Sequence, residues 1–145
     1  MKITFIFLAA ILLFVQCSEQ KSSTTNDSMS EDVSSKVLQH HWDAFKANDL
    51  DETMADYTEE SVLITPDKTY NGLAEIRENF VSAFAAFPKD SAVLQLDKSV
   101  VVNDVGYILW QATTPKFKLS FATDTFIIRN GKIIRQTYAG VASPL

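Results

Sequence analysis

The chain holds a single cysteine, Cys17, so no intrachain disulfide can form and packing alone must hold the fold. Four glycines and four prolines in 145 residues exclude collagen-like and low-complexity architectures. Only two histidines occur, the adjacent His40 and His41. Neighbouring residues on a helix project about 100° apart, so this pair is poorly placed to share a metal. With no further histidine and no useful cysteine, a catalytic zinc site is not expected. Basic residues are also short, 13 against 18 acidic, for a net charge of −5. Such a surface repels phosphate backbones, and no basic stripe with interleaved aromatics is present, so nucleic acid is not an expected partner. No phosphate-cradling glycine motif and no Gly-x-Ser-x-Gly elbow occurs, which argues against the usual nucleotide and serine-nucleophile chemistries.

What is present suits one soluble globular domain. Hydrophobic residues make up 46% of the chain and charged residues 21%, and ten Phe, four Tyr and two Trp can fill a core. The first residues read as a leader. Lys2 is followed by an apolar run, Ile3 to Val15, broken only by Thr4. It is shorter than the roughly 20 residues of a membrane-crossing helix and suits the core of a secretory signal. Cys17 follows directly and resembles the lipidated cysteine of a bacterial lipoprotein, although Gln16 stands where a small residue is usual. An ordinary cleaved signal with a spare thiol, giving a secreted soluble protein, is the alternative. Residues 17–32 are rich in Ser and Thr and cannot bury enough surface to offset chain entropy. The expected organisation is a signal peptide at 1–16, a flexible tether at 17–32 and a folded domain at 33–145. The expected location is the bacterial periplasm or cell envelope, with membrane attachment only through a lipid anchor.

From Val33 the pattern turns periodic. Val37, Leu38, His41, Trp42, Ala44 and Phe45 form one apolar helix face. Asp49 can cap a short second helix that ends near Tyr57, with Glu52 reaching back. The acidic cluster lacks the glycine and distal glutamate of a calcium loop. Ser61 to Tyr70 reads as a short hairpin turning at Pro66-Asp67, and Asn71-Gly72 opens a third helix stopped by Pro88. Four long strands follow: Val93 to Val102, Val105 to Thr114, Phe117 to Arg129 and Lys132 to Val141. Asn130-Gly131 between the last two is a strong two-residue hairpin signal. Helices gathered on one face of a curved antiparallel sheet make an α+β fold, in the order α-α-β-β-α-β-β-β-β.

Several segments in this order carry a resemblance. They are His41-Trp42-Asp43-Ala44-Phe45, Asn48-Asp49-Leu50-Asp51, Asp56-Tyr57-Thr58-Glu59-Glu60, Ile64-Thr65-Pro66-Asp67, Gly72, and the stretch Thr123 to Ile133. Together they resemble the SnoaL-like branch of the nuclear-transport-factor-2-like superfamily across nearly all of Val33 to Ala142. The resemblance implies a cone of helices wrapped by a curved sheet, a pocket at the wide end and frequent homodimers. It also implies an enzyme reading, similar to ketosteroid isomerases and polyketide cyclases, in which a pocket carboxylate removes a proton beside a carbonyl. That chemistry needs no cofactor. Whether this chain is an enzyme stays open. A non-catalytic pocket for a small apolar or amphipathic molecule, or an interaction module with a filled cone, fits equally well.

The residues themselves single out Asp124, a carboxylate in a strand where aspartate is disfavoured. An unbroken register from the Asn130-Gly131 turn pairs Asp124 with Thr137 and Phe126 with Arg135. One face then carries Asp124, Phe126, Ile128, Ile133, Arg135 and Thr137, and it is expected to face the core. The other, with Thr125, Ile127, Ile134, Gln136 and Tyr138, is expected to be covered by a second subunit. Asp124 and His41 are the candidate catalytic residues, and Trp42, Tyr57, Trp110, Phe126, Arg135 and Thr137 the candidate ligand contacts. Asp124 and Arg135 are alternatively a structural ion pair, His41 a satisfied core histidine, and the aromatics plain packing. The turn before Phe117 does not determine which face Trp110 occupies.

Overall fold

The computed structural model describes residues 30–145. The expected signal segment, the tether up to residue 29 and Cys17 lie outside the described residues. The helix α1 (Glu31–Ala47) starts two residues before the expected boundary and buries Leu38, His41, Trp42, Ala44 and Phe45, the stripe read from the sequence. It ends at Asn48 in the left-handed conformation, φ 52°, which asparagine tolerates. Asp49 caps α2 (Leu50–Ala55) by accepting the Glu52 amide at 3.1 Å. The Glu52 carboxylate does not complete a capping box and instead reaches His40.

Beyond α2 come β1 (Val62–Ile64), β2 (Thr69–Asn71), α3 (Gly72–Ala86), β3 (Val93–Val102), β4 (Val105–Thr113), β5 (Phe117–Arg129) and β6 (Lys132–Pro144). The element order is the expected one. The strands form one open sheet in the order β2-β1-β6-β5-β4-β3, curved around the helices. It is not wholly antiparallel, because β1 runs parallel to β6, with Leu63 opposite Gln136. This pairing brings the short hairpin to the edge of the long meander, a long-range contact that no local pattern announces. Ile133 N–H donates to the Asp56 carbonyl at 2.8 Å, Ser61 Oγ to the Ile133 carbonyl at 2.6 Å, and Lys132 Nζ to the Ala55 carbonyl at 2.6 Å. Together these bonds clamp the end of α2 to the start of β6, and the Lys132 cation suits the negative end of the helix.

The turn between β5 and β6 is as expected, with Asn130 and Gly131 both at positive φ. Register holds for Arg129 with Lys132 and Ile128 with Ile133, then shifts, so that Ile127 faces Arg135 and Asp124 faces Tyr138. Ile134 is the extra residue of a β-bulge. This one insertion reverses the facing of everything beyond it on β6. Gln136 and Tyr138 turn inward, whereas Arg135 and Thr137 are exposed. Further register shifts interrupt β3–β4 and β4–β5, and such bulges let a long sheet curl around helices.

The core is the space between α1, α3 and the concave sheet face. Leu63, Ile76, Phe80, Ile108, Phe126, Ile128 and Ile133 are essentially fully buried there. Gly106 lets α1 approach the sheet, since a Cβ at that point would meet Leu38 Cδ2 at 3.2 Å.

Candidate functional site

Asp124 sits mid-strand on the concave face of β5 and is 5% exposed. Opposite it are Ile108 on β4 and Tyr138 on β6, and two residues along those strands lie Trp110 and Gln136. Trp110 Nε1–H donates to Oδ2 at 2.8 Å and Gln136 Nε2–H donates to Oδ1 at 2.8 Å. A donor on each oxygen is the arrangement of an ionised carboxylate. Neither donor is a cation, however. Burial therefore pushes the Asp124 carboxyl above its ordinary range, while the Gln136 and Trp110 bonds and the charge of His41 pull it part of the way back.

A polar chain continues behind Gln136. The Tyr57 hydroxyl donates to Gln136 Oε1 and lies 3.3 Å from His41 Nε2. Burial, reinforced by the charges of Asp124 and Asp56, pushes the Tyr57 phenol well up, so it stays a neutral hydroxyl. His41 is 4% exposed and its ring meets Tyr57, Phe80 and Phe126 edge-on at 5.4, 5.6 and 5.5 Å between centroids. Its Nδ1 lies 3.2 Å from Asp56 Oδ2. The other Asp56 oxygen takes His40 Nδ1 at 2.8 Å, and His40 Nε2 reaches Glu52 at 3.2 Å. Those bonds, that to Asp56 foremost, raise the His40 pKa. The two histidines thus meet at one carboxylate although they project from different sides of α1. Among the described residues no group of three or more His, Cys, Asp or Glu side chains is arranged to hold a metal ion.

Asp124 lines a cavity of about 480 Å³. His41, Trp42 and Phe45 of α1 form one wall, and Phe80, Ala83 and Phe87 in and after α3 form another. The sheet supplies Ile108, Trp110, Phe126, Gln136 and Tyr138, and the exposed turn Pro66-Asp67 brings the cavity to the surface. Gly140 keeps room for the Tyr138 hydroxyl, which would stand 2.7 Å from a Cβ there. Burial, then the charges of Asp124 and Asp67, raises the Tyr138 phenol as well.

Of the residues singled out from sequence, Asp124, His41, Trp42, Trp110 and Phe126 line this cavity. Tyr57 is buried behind it, holding Gln136 and His41. Arg135 and Thr137 do not belong. The bulge at Ile134 puts both on the convex face, where the Arg135 guanidinium donates to the Glu60 carbonyl at 3.0 Å, so no ion pair with Asp124 exists. Gln136 and Tyr138, assigned to the outer face, are inside. Asp56, part of a segment that carries the resemblance, is not among the candidate site residues read from the sequence. Its signal is faint, an aspartate at the end of a short helix and beside a tyrosine.

The geometry can be set against known proteins. No curated protein matches the chain. A candidate polyketide cyclase from Sinorhizobium meliloti is similar in structure, with 21% identity, a TM-score of 0.63, and coverage of 72% of this chain and 94% of that one. A candidate ketosteroid isomerase from Kribbella flavida shares 14% identity at a TM-score of 0.65, covering 80% of this chain and 81% of that one. A de novo designed protein with a curved β-sheet is equally similar, at 16% identity and a TM-score of 0.65 over 78% of this chain and 88% of that one. A designed sheet as similar in shape as the two natural proteins means that these likenesses carry the fold and not the chemistry. The model of the SnoaL-like domain matches residues 38–136, from α1 through the inward-facing Gln136. The chain belongs to the SnoaL-like domain family.

Proposed function

We propose that the cavity binds a small apolar or amphipathic molecule and that Asp124 accepts a proton from it, in cofactor-free isomerase-, cyclase- or lyase-type chemistry. One observation carries this reading. A buried carboxylate, held by two neutral donors and no cation, lines a cavity of about 480 Å³ walled largely by aromatic and aliphatic side chains. A strut would be neutralised by a cation. A carboxylate with its pKa raised by desolvation is instead a proton acceptor suited to carbon acids, in a pocket size usual for small ligands. The filled-cone alternative requires the aromatics to close the space, and they stand around it. The apolar run from Ile3 to Val15, with Cys17 after it, is the sequence feature on which we place this activity at the cell envelope.

The test uses a panel of ketones and β-dicarbonyl compounds in deuterated buffer. Binding is read from the fluorescence of Trp42 and Trp110, and proton abstraction from deuterium appearing beside the carbonyl. Exchange that disappears in Asp124→Asn while binding persists supports the proposal. Exchange undiminished in that variant overturns it, and binding without exchange in the native protein favours the non-catalytic carrier.

A further inference from the structure

The polar chain behind Asp124 has a fixed direction at each end. Trp110 Nε1–H can only donate, so the oxygen of residue 124 beside it must accept. The Asp56 carboxylate can only accept, so His41 Nδ1 carries a hydrogen toward it. Between these ends stand three groups that can reverse: the Gln136 amide, with a donor and an acceptor end, the single Tyr57 O–H, and His41 Nε2.

With Asp124 ionised, Gln136 presents its NH₂ to Oδ1 and its oxygen accepts from Tyr57. The Tyr57 proton is thereby committed, and the Tyr57 oxygen is left to accept from His41 Nε2–H. His41 then bears hydrogens on both nitrogens and is a cation. A proton on Oδ1 of Asp124 reverses the order. The acid donates to Gln136 Oε1, the turned NH₂ donates to the Tyr57 oxygen, and the Tyr57 O–H donates to His41 Nε2, which must be bare.

We infer that Gln136 and Tyr57 couple Asp124 to His41, so that a proton gained by the pocket carboxylate is matched by loss of the His41 Nε2 proton to bulk water, the Nδ1 hydrogen staying on its bond to Asp56. The count balances. Before, Asp124 and Asp56 are negative and His41 positive; afterwards Asp56 alone is charged. The buried cluster keeps one negative charge throughout, which avoids the large cost of changing net charge away from water. The other charged or titratable groups facing it are His40 from α1, Glu52 from α2 and Tyr138 from β6, while α3 presents the apolar Phe80. His40, with its side chain 45% exposed beside Glu52, joins the other Asp56 oxygen to the surface. His41, Tyr57 and Gln136 are positioning residues here. Their meaning for turnover rests on Asp124 as proton acceptor, but the coupling itself is read without substrate.

The experiment is a long-range ¹H–¹⁵N spectrum of the ¹⁵N-histidine-labelled protein above neutral pH, with His40→Gln assigning the two rings. The native protein is expected to show His41 protonated at Nε2. In Asp124→Asn the Trp110 donor holds the amide oxygen, so the amide NH₂ faces Gln136 as a protonated acid would. The Nε2 signal should then move to the unprotonated position. Gln136→Met gives the same answer by another route, because the Tyr57 proton loses its alternative acceptor and must turn to Nε2. On a Tyr57→Phe background only the through-space charge of Asp124 remains, so Asp124→Asn should move His41 by much less than with Tyr57 in place. An Nε2 state that is the same in the native protein, Asp124→Asn and Gln136→Met overturns the coupling. So does a change of undiminished size on the Tyr57→Phe background. Absence of ketone exchange with the coupling intact would remove the catalytic reading alone.

Discussion

Asp124→Asn separates a carboxylate kept for its acidity from one kept for the fold, and its effect on stability follows from the contacts. In the native protein the ionised carboxylate has lost its water, at a cost of several kcal/mol, and receives two charge-assisted bonds of about 1.5–3 kcal/mol each. In the variant, Trp110 still donates to the amide oxygen and the amide NH₂ donates to a turned Gln136. Two neutral bonds of about 0.5–1.5 kcal/mol each then set against an amide desolvation of about 1–3 kcal/mol. Both balances lie near zero, so the variant is expected within about 1 kcal/mol of the native protein where Asp124 is ionised, against the loss of about 3 kcal/mol from breaking a buried ion pair. The pH dependence is the sharper signature. In the unfolded chain Asp124 ionises near the ordinary value of 3.8, while in the folded protein burial raises its pKa. With the link to His41 cut by Tyr57→Phe, the folded state holds more protons than the unfolded one between those two points, so on that background stability falls as pH rises through the window. The variant has no such group and does not share the fall. Urea unfolding across a pH series reads this directly. With a slope of about 1–2 kcal/mol per molar, a difference of about 1 kcal/mol displaces the midpoint by roughly 0.5–1 M. A loss of about 2 kcal/mol or more at neutral pH, or a gap on the Tyr57→Phe background that does not change with pH, would refute the reasoning.

Trp110→Phe keeps an aromatic ring and removes the indole donor. It should cost about 1.5–3 kcal/mol where Asp124 is ionised, and a loss that persists unchanged below pH 4 would point to packing instead. Arg135→Gln should change stability by no more than about 0.5 kcal/mol and leave substrate exchange alone, since Arg135 is on the convex face; lost exchange would restore it to the site. That face exposes Val100, Val105 and Phe121, at 38%, 38% and 46%, and is expected to be the seam of a homodimer. Sedimentation at micromolar concentration should give twice the monomer mass and Phe121→Asp a monomer; a monomeric native protein rejects the seam. Mass spectrometry of membrane-extracted protein should find a lipid-modified Cys17, and an unmodified soluble chain would exclude the anchor.

Local chemistry carried most of the architecture. The stripe of Leu38, His41, Trp42 and Phe45, the cap at Asp49, the stop at Pro88 and the turn at Asn130-Gly131 are each dictated within a few residues, and each stands where the sequence put it. What escaped is what depends on partners distant in sequence. The parallel pairing of β1 with β6 joins residues more than 70 positions apart, and Val62 to Ile64 carries no mark of it. Asp56 becomes the meeting point of two histidines only once α2 has folded back against α1. Asp124 could be found because a carboxylate conflicts with its strand. Gln136 and Tyr138 present no conflict on either face, so only the true register reveals them.

That register turns on one residue, and the chemistry turns with it. Without the bulge at Ile134, alternation would place Arg135 beside Asp124, and a guanidinium at contact distance would hold the carboxyl well below its ordinary range and keep it ionised. The extra residue substitutes Gln136, a neutral partner that donates while Asp124 is charged and can accept when it is not. Burial then prevails over stabilisation of the charge, and the carboxyl rises. The same amide links Asp124 to Tyr57 and through it to His41, which an arginine, having no acceptor, could not do. A strand irregularity that also helps to curve the sheet thus decides whether the buried carboxylate is a strut or a group able to take up a proton.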